Sequence, residues 1–375
     1  MKIKTFEVSG LSKRTDFSFN FHDDINILTG INGSGKTTAL KLAWYIVSGN
    51  FARLRNEIKF KKCSLTTDTF SLSLENIADN DIGFELRSND KDEMESGTFN
   101  ENHYDSDGDP FSDGEDFLRD LIRELSPSSI YFPTFRRVEG GYSIVGNRRN
   151  RLSHASHQGP IPESNLALQM EQLSSKLSYG PHKFVCSIST DDIAALLTER
   201  YAKTSEGVNN SYTEFSRSIL DKIRNWRQET SSHDDQSEKL LLEIQASATQ
   251  IEEFRGEAFK PFTVLSALVA KMFSFQGIKV RNLSLGDAAK AIDSDILSAG
   301  EKQMLSFLVY NAFSAETPIF IDEPELSLHP DWQRKLFPTL LDQQATNQFI
   351  ISTHSPFIYS KYSDKELPLN SSRGD

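Results

Sequence analysis

One stretch constrains this chain before any other: Gly30-Ile31-Asn32-Gly33-Ser34-Gly35-Lys36-Thr37, which has the spacing G-x-x-x-x-G-K-[ST]. Ahead of it lies Ile25-Asn26-Ile27-Leu28, an apolar run of strand length. Behind it, Thr38 to Val47 carries apolar residues at helical spacing. A glycine loop between strand and helix aims the helix's free N–H groups and its positive dipole end at a bound anion. In that setting Gly30, Asn32, Gly33, Ser34, Gly35 and Thr38 form a phosphate cradle. Lys36 reaches the terminal phosphates, and Thr37 places its hydroxyl on Mg²⁺.

A second set of residues near the other end suits the same chemistry. Ile319-Phe320-Ile321-Asp322-Glu323-Pro324 is an apolar strand ending in two acids. Asp322 is expected to hold Mg²⁺, directly or through water, and Glu323 to orient or deprotonate the attacking water. A further apolar strand, Gln348 to Ser352, delivers Thr353-His354-Ser355-Pro356. Loops at the ends of parallel strands build active sites, which makes His354 a candidate γ-phosphate contact. Between the two sets, Leu297-Ser298-Ala299-Gly300-Glu301-Lys302-Gln303 precedes a helix with apolar Met304, Leu305, Leu308 and Val309. Ser298 and Glu301 make an S-x-x-E capping box; the same serine hydroxyl and free N–H groups also suit a phosphate.

The net charge of −12 argues against wholesale nucleic-acid binding but is concentrated in one place. Residues 90–116 hold eleven acids against one lysine, leaving 42 acidic and 40 basic residues elsewhere, so the remainder is almost neutral. That stretch reads as a solvated insertion. Its Asp105-Ser106-Asp107-Gly108-Asp109 puts Pro110 where a calcium loop needs glycine. No run of about 18 apolar residues suggests a membrane span, and the N-terminus lacks a signal peptide's apolar core. Cys63 and Cys186 offer no disulfide framework, and no histidine or cysteine has zinc-like spacing; a cytoplasmic location is expected.

Short strands are expected over Ile3–Val8, Phe17–Phe21, Thr67–Leu74 and Ile82–Leu86, with a helix from Phe117 to Leu125 and a strand at Ile130–Pro133. Helices follow at Leu166–Leu177, Asp192–Tyr201, Tyr212–Trp226 and Ser237–Phe254. The apolar positions Leu241, Ile244, Ile251 and Phe254 give barely two heptads, too few for a long coiled-coil arm. The expected organisation is an α/β head in two parts, residues 1–158 and 278–375, around a helical lobe at 159–277.

Together these motifs resemble an ABC-type ATPase of the SMC, RecF and OLD-like kind. The resemblance covers Thr29–Thr38 as Walker A, Leu297–Gln303 as signature, Ile319–Glu323 as Walker B, Ser327–His329 as D-loop and His354 as the H-loop histidine. Asp-Glu-Pro-Glu-Leu-Ser-Leu-His-Pro with Ser-Thr-His-Ser-Pro is closest to the OLD-like branch. Tyr131-Phe132-Pro133-Thr134-Phe135-Arg136-Arg137 is similar to ATPase subunits of bacterial anti-phage systems, such as PtuA of Septu and retron-linked modules. The resemblance implies a P-loop sheet with an antiparallel β-subdomain. It also implies ATP with Mg²⁺ as ligands and a head-to-tail homodimer, with two ATPs sandwiched between Walker A of one copy and Ser298 and Gly300 of the other. The signature departs from the usual wording as Leu-Ser-Ala-Gly-Glu. No Q-loop glutamine is recognisable, and Arg136 stands in a similar place. An OLD nuclease continues beyond the H-loop into a TOPRIM domain; here 21 residues follow His354, so no nuclease domain is expected in this chain.

Three functions follow in order of expectation. The first is an ATPase subunit of an anti-phage complex that senses or gates a separate nuclease or toxin. The second is a repair or recombination ATPase of the RecF or SMC type, suggested by the basic residues Arg136 to Arg151, with nucleic acid as a further partner. A transporter's nucleotide-binding subunit comes last, because about 260 residues separate Walker A from the signature.

Overall fold

A computed structural model describes residues 1–12, 15–78, 81–89, 94–99, 113–134, 174–185, 190–228, 233–273 and 298–369. The acidic Asp105–Asp109 motif, the basic residues 136–151, Arg136, Cys186 and Leu297 lie outside these. The chain divides into two compact units. The first comprises Met1–Ser187, Ser314–Pro338 and Ala345–Asp375; the second comprises Ile188–Phe313 and Thr339–Gln344.

The first unit is α/β, with one antiparallel and one parallel sheet of six strands each. The antiparallel sheet contains β1 (Ile3–Leu11), β2 (Thr15–Asn20), β4 (Lys62–Thr67), β5 (Phe70–Ala78), β6 (Asp81–Ser88) and β7 (Met94–Phe99), in the order β2-β1-β4-β5-β6-β7. The parallel sheet contains β3 (Ile25–Thr29), β8 (Ser129–Phe132), β9 (His182–Phe184), β10 (Pro318–Asp322), β11 (Gln348–Ser352) and β12 (Glu366–Pro368). Its order is β12-β3-β11-β10-β8-β9. Every residue of β3, β8, β10 and β11 is buried, which is why these strands read as near-continuous apolar runs rather than alternating ones.

Gln348 joins the two sheets. Its fully buried amide accepts from Ile3 N–H at 2.8 Å and donates to Ile3 O at 2.8 Å, imitating a backbone partner for β1. The core around α1 (Lys36–Val47) is aromatic. The Trp44 ring centroid lies 5.2 Å from that of Tyr131 on β8 and 5.5 Å from that of Phe184 on β9. The unit also contains α2 (Phe51–Glu57) and α3 (Asp113–Leu125).

Three differences from the sequence reading have local causes. Thr67–Leu74 is not one strand: the chain turns at Asp68-Thr69, where Thr67 Oγ1 accepts from Thr69 N–H at 3.1 Å and Phe70 N–H at 2.9 Å. The acidic stretch is not a solvated insertion throughout. β7 pairs with β6, Phe99 is buried with its ring centroid 5.7 Å from that of Phe51, and Glu115 bridges Arg55 at 3.7 Å.

The third difference is in the second unit. Two long helices, α4 (Thr190–Gln228, 39 residues) and α5 (His233–Phe273, 41 residues), replace the shorter helices expected there. At about 1.5 Å per residue each is about 60 Å long, several times the length of the helices expected. In the polar stretches Ser211, Thr213, Ser216, Ser247 and Thr249 return their hydroxyls to the carbonyl four residues back, so these side chains are satisfied without interrupting the helices. The helices are tied by Tyr212 to Glu252 at 2.7 Å and Lys222 to Glu243 at 3.2 Å, polar links that heptad counting does not register. This unit also holds α6 (Ala299–Ala312).

Candidate functional site

The loop between β3 and α1 is bent by glycines with positive φ: Gly30 at 151°, Gly33 at 79° and Gly35, the N-cap of α1, at 99°. At Gly30 a side chain has no room, since a Cβ would lie 2.6 Å from Leu369 O and 2.9 Å from Ser34 Oγ. At Gly33 none of the described residues would come within 4 Å of a Cβ. The loop borders a cavity of about 450 Å³ lined by Asn32, Gly33, Ser34, Gly35, Lys36, Thr37 and Thr38. Glu323 and His354 line it from the ends of β10 and β11. Leu11, Ser12 and Thr15 line it from the β1–β2 turn.

Four loops at the C-terminal ends of the parallel strands meet here. Thr37 Oγ1 donates to Asp322 Oδ1 at 3.0 Å, across 285 positions of chain. Thr134, beyond β8, donates to Asp322 Oδ2 at 2.5 Å, and Ser352, the last residue of β11, donates to Oδ1. Asp322, at 2% exposure, therefore keeps its carboxylate buried among three hydroxyl donors. Glu323 follows in the left-handed region at φ 48°, a conformation costing a non-glycine residue about 1–3 kcal/mol. Its N–H donates to Ser352 O at 2.9 Å, tying the end of β10 to that of β11.

Lys36 is buried, its ammonium donating to Gly30 O at 3.0 Å and Ile31 O at 3.3 Å and meeting His354 Nε2 at 2.7 Å. His354 Nε2 also lies 3.9 Å from Glu323 Oε1. Burial pushes the Lys36 ammonium below its usual range, opposed by the charges of Glu323, Asp322 and Glu325. Ser34 Oγ is buried without a hydrogen-bond partner among the described residues and borders the cavity. That orphaned hydroxyl, the open space at Gly33 and the ammonium on the floor fit a phosphate chain. The Thr37 hydroxyl with the Asp322 carboxylate fits a hard divalent cation such as Mg²⁺.

Of the residues singled out from the sequence, Gly30, Asn32, Gly33, Ser34, Gly35, Lys36, Thr37, Thr38, Asp322, Glu323 and His354 thus converge. Ser298 and Gly300 are not among the lining residues; they start α6 in the second unit. There the capping box forms, with Ser298 Oγ accepting from Glu301 N–H at 3.4 Å and Ser298 N–H donating to Glu301 Oε2 at 2.7 Å. Sequence reasoning missed Thr134, Ser352, Glu325 and Gln333. The first two sit at or just past the ends of strands flanking β10, a position that strand order alone would have flagged.

Fold and site define a P-loop nucleotide-binding protein. The chain belongs to the AAA ATPase domain family, whose model matches residues 1–359. It is 32% identical over 93 residues to the "Retron Vc95 probable ATPase" of Vibrio cholerae serotype O1 biovar El Tor; the match covers 24% of this chain and spans 18% of that relative's length. Among solved structures it is similar to the Smc head domain derived from Pyrococcus furiosus, at 13% identity, TM-score 0.38, and 96% and 91% coverage of the two chains. It is also similar to the recombination mediator protein RecF, at 10% identity, TM-score 0.32, and 95% and 93% coverage. Among the described residues no helix is long and apolar enough to cross a membrane.

Proposed function

We propose that this protein is a cytoplasmic, ATP-hydrolysing subunit of an anti-phage defence complex, in which ATP-dependent pairing of two copies gates a separate nuclease or toxin. The observation that carries the enzymatic part is the Thr37–Asp322 bond, which joins the glycine loop and the acid-bearing strand in one cavity with Glu323 and His354. In this reading Lys36 and the loop N–H groups bind the phosphates, and Thr37 and Asp322 hold Mg²⁺. The ion supplies neutralisation of charge on the phosphate oxygens. Glu323 takes the proton of the attacking water, and His354 contacts the terminal phosphate. Lys36 exchanges its carbonyl and imidazole partners for phosphate oxygens.

The defence role rests on the OLD-like wording from Asp322 to Pro330 and on the retron-associated relative. Ser298 is exposed at the start of α6, which supports a role for it at a second copy's nucleotide. The test is native mass spectrometry of Glu323→Gln with and without ATP, together with purification alongside the protein encoded next door. A dimer that forms only with ATP and is lost in Ser298→Arg, with the neighbour retained, is expected. A partner-free monomer in every condition would refute it. The basic residues 136–151 favour a second reading as a repair or recombination ATPase. Duplex-DNA binding through about three phosphate contacts predicts a log–log salt slope near −3, and no binding at about 50 mM salt ends that reading.

A further inference from the structure

The loops that follow β10 and β11 are bolted together by two side chains given no role so far, Glu325 and Gln333. Glu325 Oε1 accepts from the His354 N–H at 2.6 Å. Gln333, buried in α7 (Pro330–Asp342), donates through Nε2 to Leu328 O at 2.7 Å and Glu325 O at 3.2 Å. Its Oε1 accepts from Ser355 Oγ at 2.5 Å. Ser355 in turn accepts from Phe357 N–H at 3.2 Å, at the start of a short helix, and donates its own N–H to Thr353 Oγ1 at 3.0 Å. His354 is thus gripped from both sides, at its own N–H by Glu325 and through Ser355 by Gln333. The same glutamine holds the turn that carries Ser327 to His329. A primary amide meets this geometry because it offers two donors and an acceptor on one rigid plane.

We infer that Glu325 and Gln333 are positioning residues for His354, setting its imidazole against the terminal phosphate and making that placement depend on the Ser327–His329 turn. Neither lines the cavity, so neither needs to touch nucleotide. The inference rests on the ATPase reading above.

The test is a double-mutant cycle on MgATP turnover, with Gln333→Ala, Glu325→Ala and Glu325→Gln each made alone and in the His354→Ala background. Each alanine variant should lower kcat about 10-fold or more with KM little changed, and should cost nothing further once His354 is gone. Glu325→Gln, which keeps an acceptor for the His354 N–H, should restore most of the rate. Losses that multiply with His354→Ala, or a glutamine variant as slow as the alanine one, would overturn the inference. Should the wild type fail to hydrolyse ATP, the ATPase reading falls. Amide exchange over residues 353–357 then decides the bracing itself: faster exchange in Glu325→Ala is expected, and unchanged exchange would overturn it.

Discussion

Alanine at Gly30 and at Gly33 should damage two different properties. At Gly30 the added Cβ would sit 2.6 Å from Leu369 O and 2.9 Å from Ser34 Oγ, both well inside contact distance, with φ at 151°. Left-handed strain of about 1–3 kcal/mol and a comparable cost for the overlap give a stability loss of about 2–6 kcal/mol. Leu369 N–H donates to Thr29 O at 2.7 Å, so the damage spreads to the edge of the parallel sheet. At Gly33 the Cβ meets none of the described residues within 4 Å, which leaves only the conformational cost at φ 79°, about 1–2 kcal/mol. That open space borders the cavity, however, and a methyl group there competes with the phosphates. Urea denaturation paired with MgATP calorimetry separates the two. Gly30→Ala should unfold at markedly lower urea, whereas Gly33→Ala should lose no more than about 1–2 kcal/mol of stability but bind MgATP at least about 10-fold more weakly. Equal stability losses, or undiminished binding by Gly33→Ala, would refute the assignment of that space to the ligand.

Burial pushes the His182 imidazole, at the start of β9, down to about 4, reinforced by the Arg123 charge and opposed by a hydrogen bond to the Ser126 backbone. The unfolded chain therefore binds the proton first. The stabilisation is complete above about pH 6.5 and is lost as pH falls towards 4, by about 3 kcal/mol at most. Urea midpoints across this window should fall more steeply for wild type than for His182→Gln, and parallel profiles would contradict the burial argument. Lys36→Ala should abolish detectable nucleotide binding in calorimetry, since it removes the cation on the cavity floor; retained affinity would remove Lys36 from the phosphate site. Because burial lowers the Lys36 pKa and phosphates raise it again, MgATP binding at alkaline pH should take up protons. Calorimetry in buffers of different ionisation enthalpy measures that uptake, which should vanish in Lys36→Ala.

What the sequence made legible was whatever is written locally. Gln348–Ser352 is a strand with the expected bounds, the Ser298–Glu301 box caps α6, and the glycine loop sits between β3 and α1 as its spacing requires. Pairing written across the chain was not legible. β12 has three residues and no periodicity of its own; it is a strand because Glu366 to Pro368 pair with Ile27 to Thr29. Thr134 and Gln333 are unremarkable in sequence and acquire meaning from Asp322 and Ser355, brought to them by the sheet order. The length of α4 and α5 was hidden by serines and threonines that look like breaks but satisfy themselves on the preceding turn.

Phosphate release from MgATP by wild type and Glu323→Gln, read beside the affinity of each for ATP, tests the shared site most directly. Affinity kept within a few-fold, with turnover slowed by about 10²–10⁴, is the result that a general base at the end of β10 predicts. Unchanged turnover in the glutamine variant would contradict it.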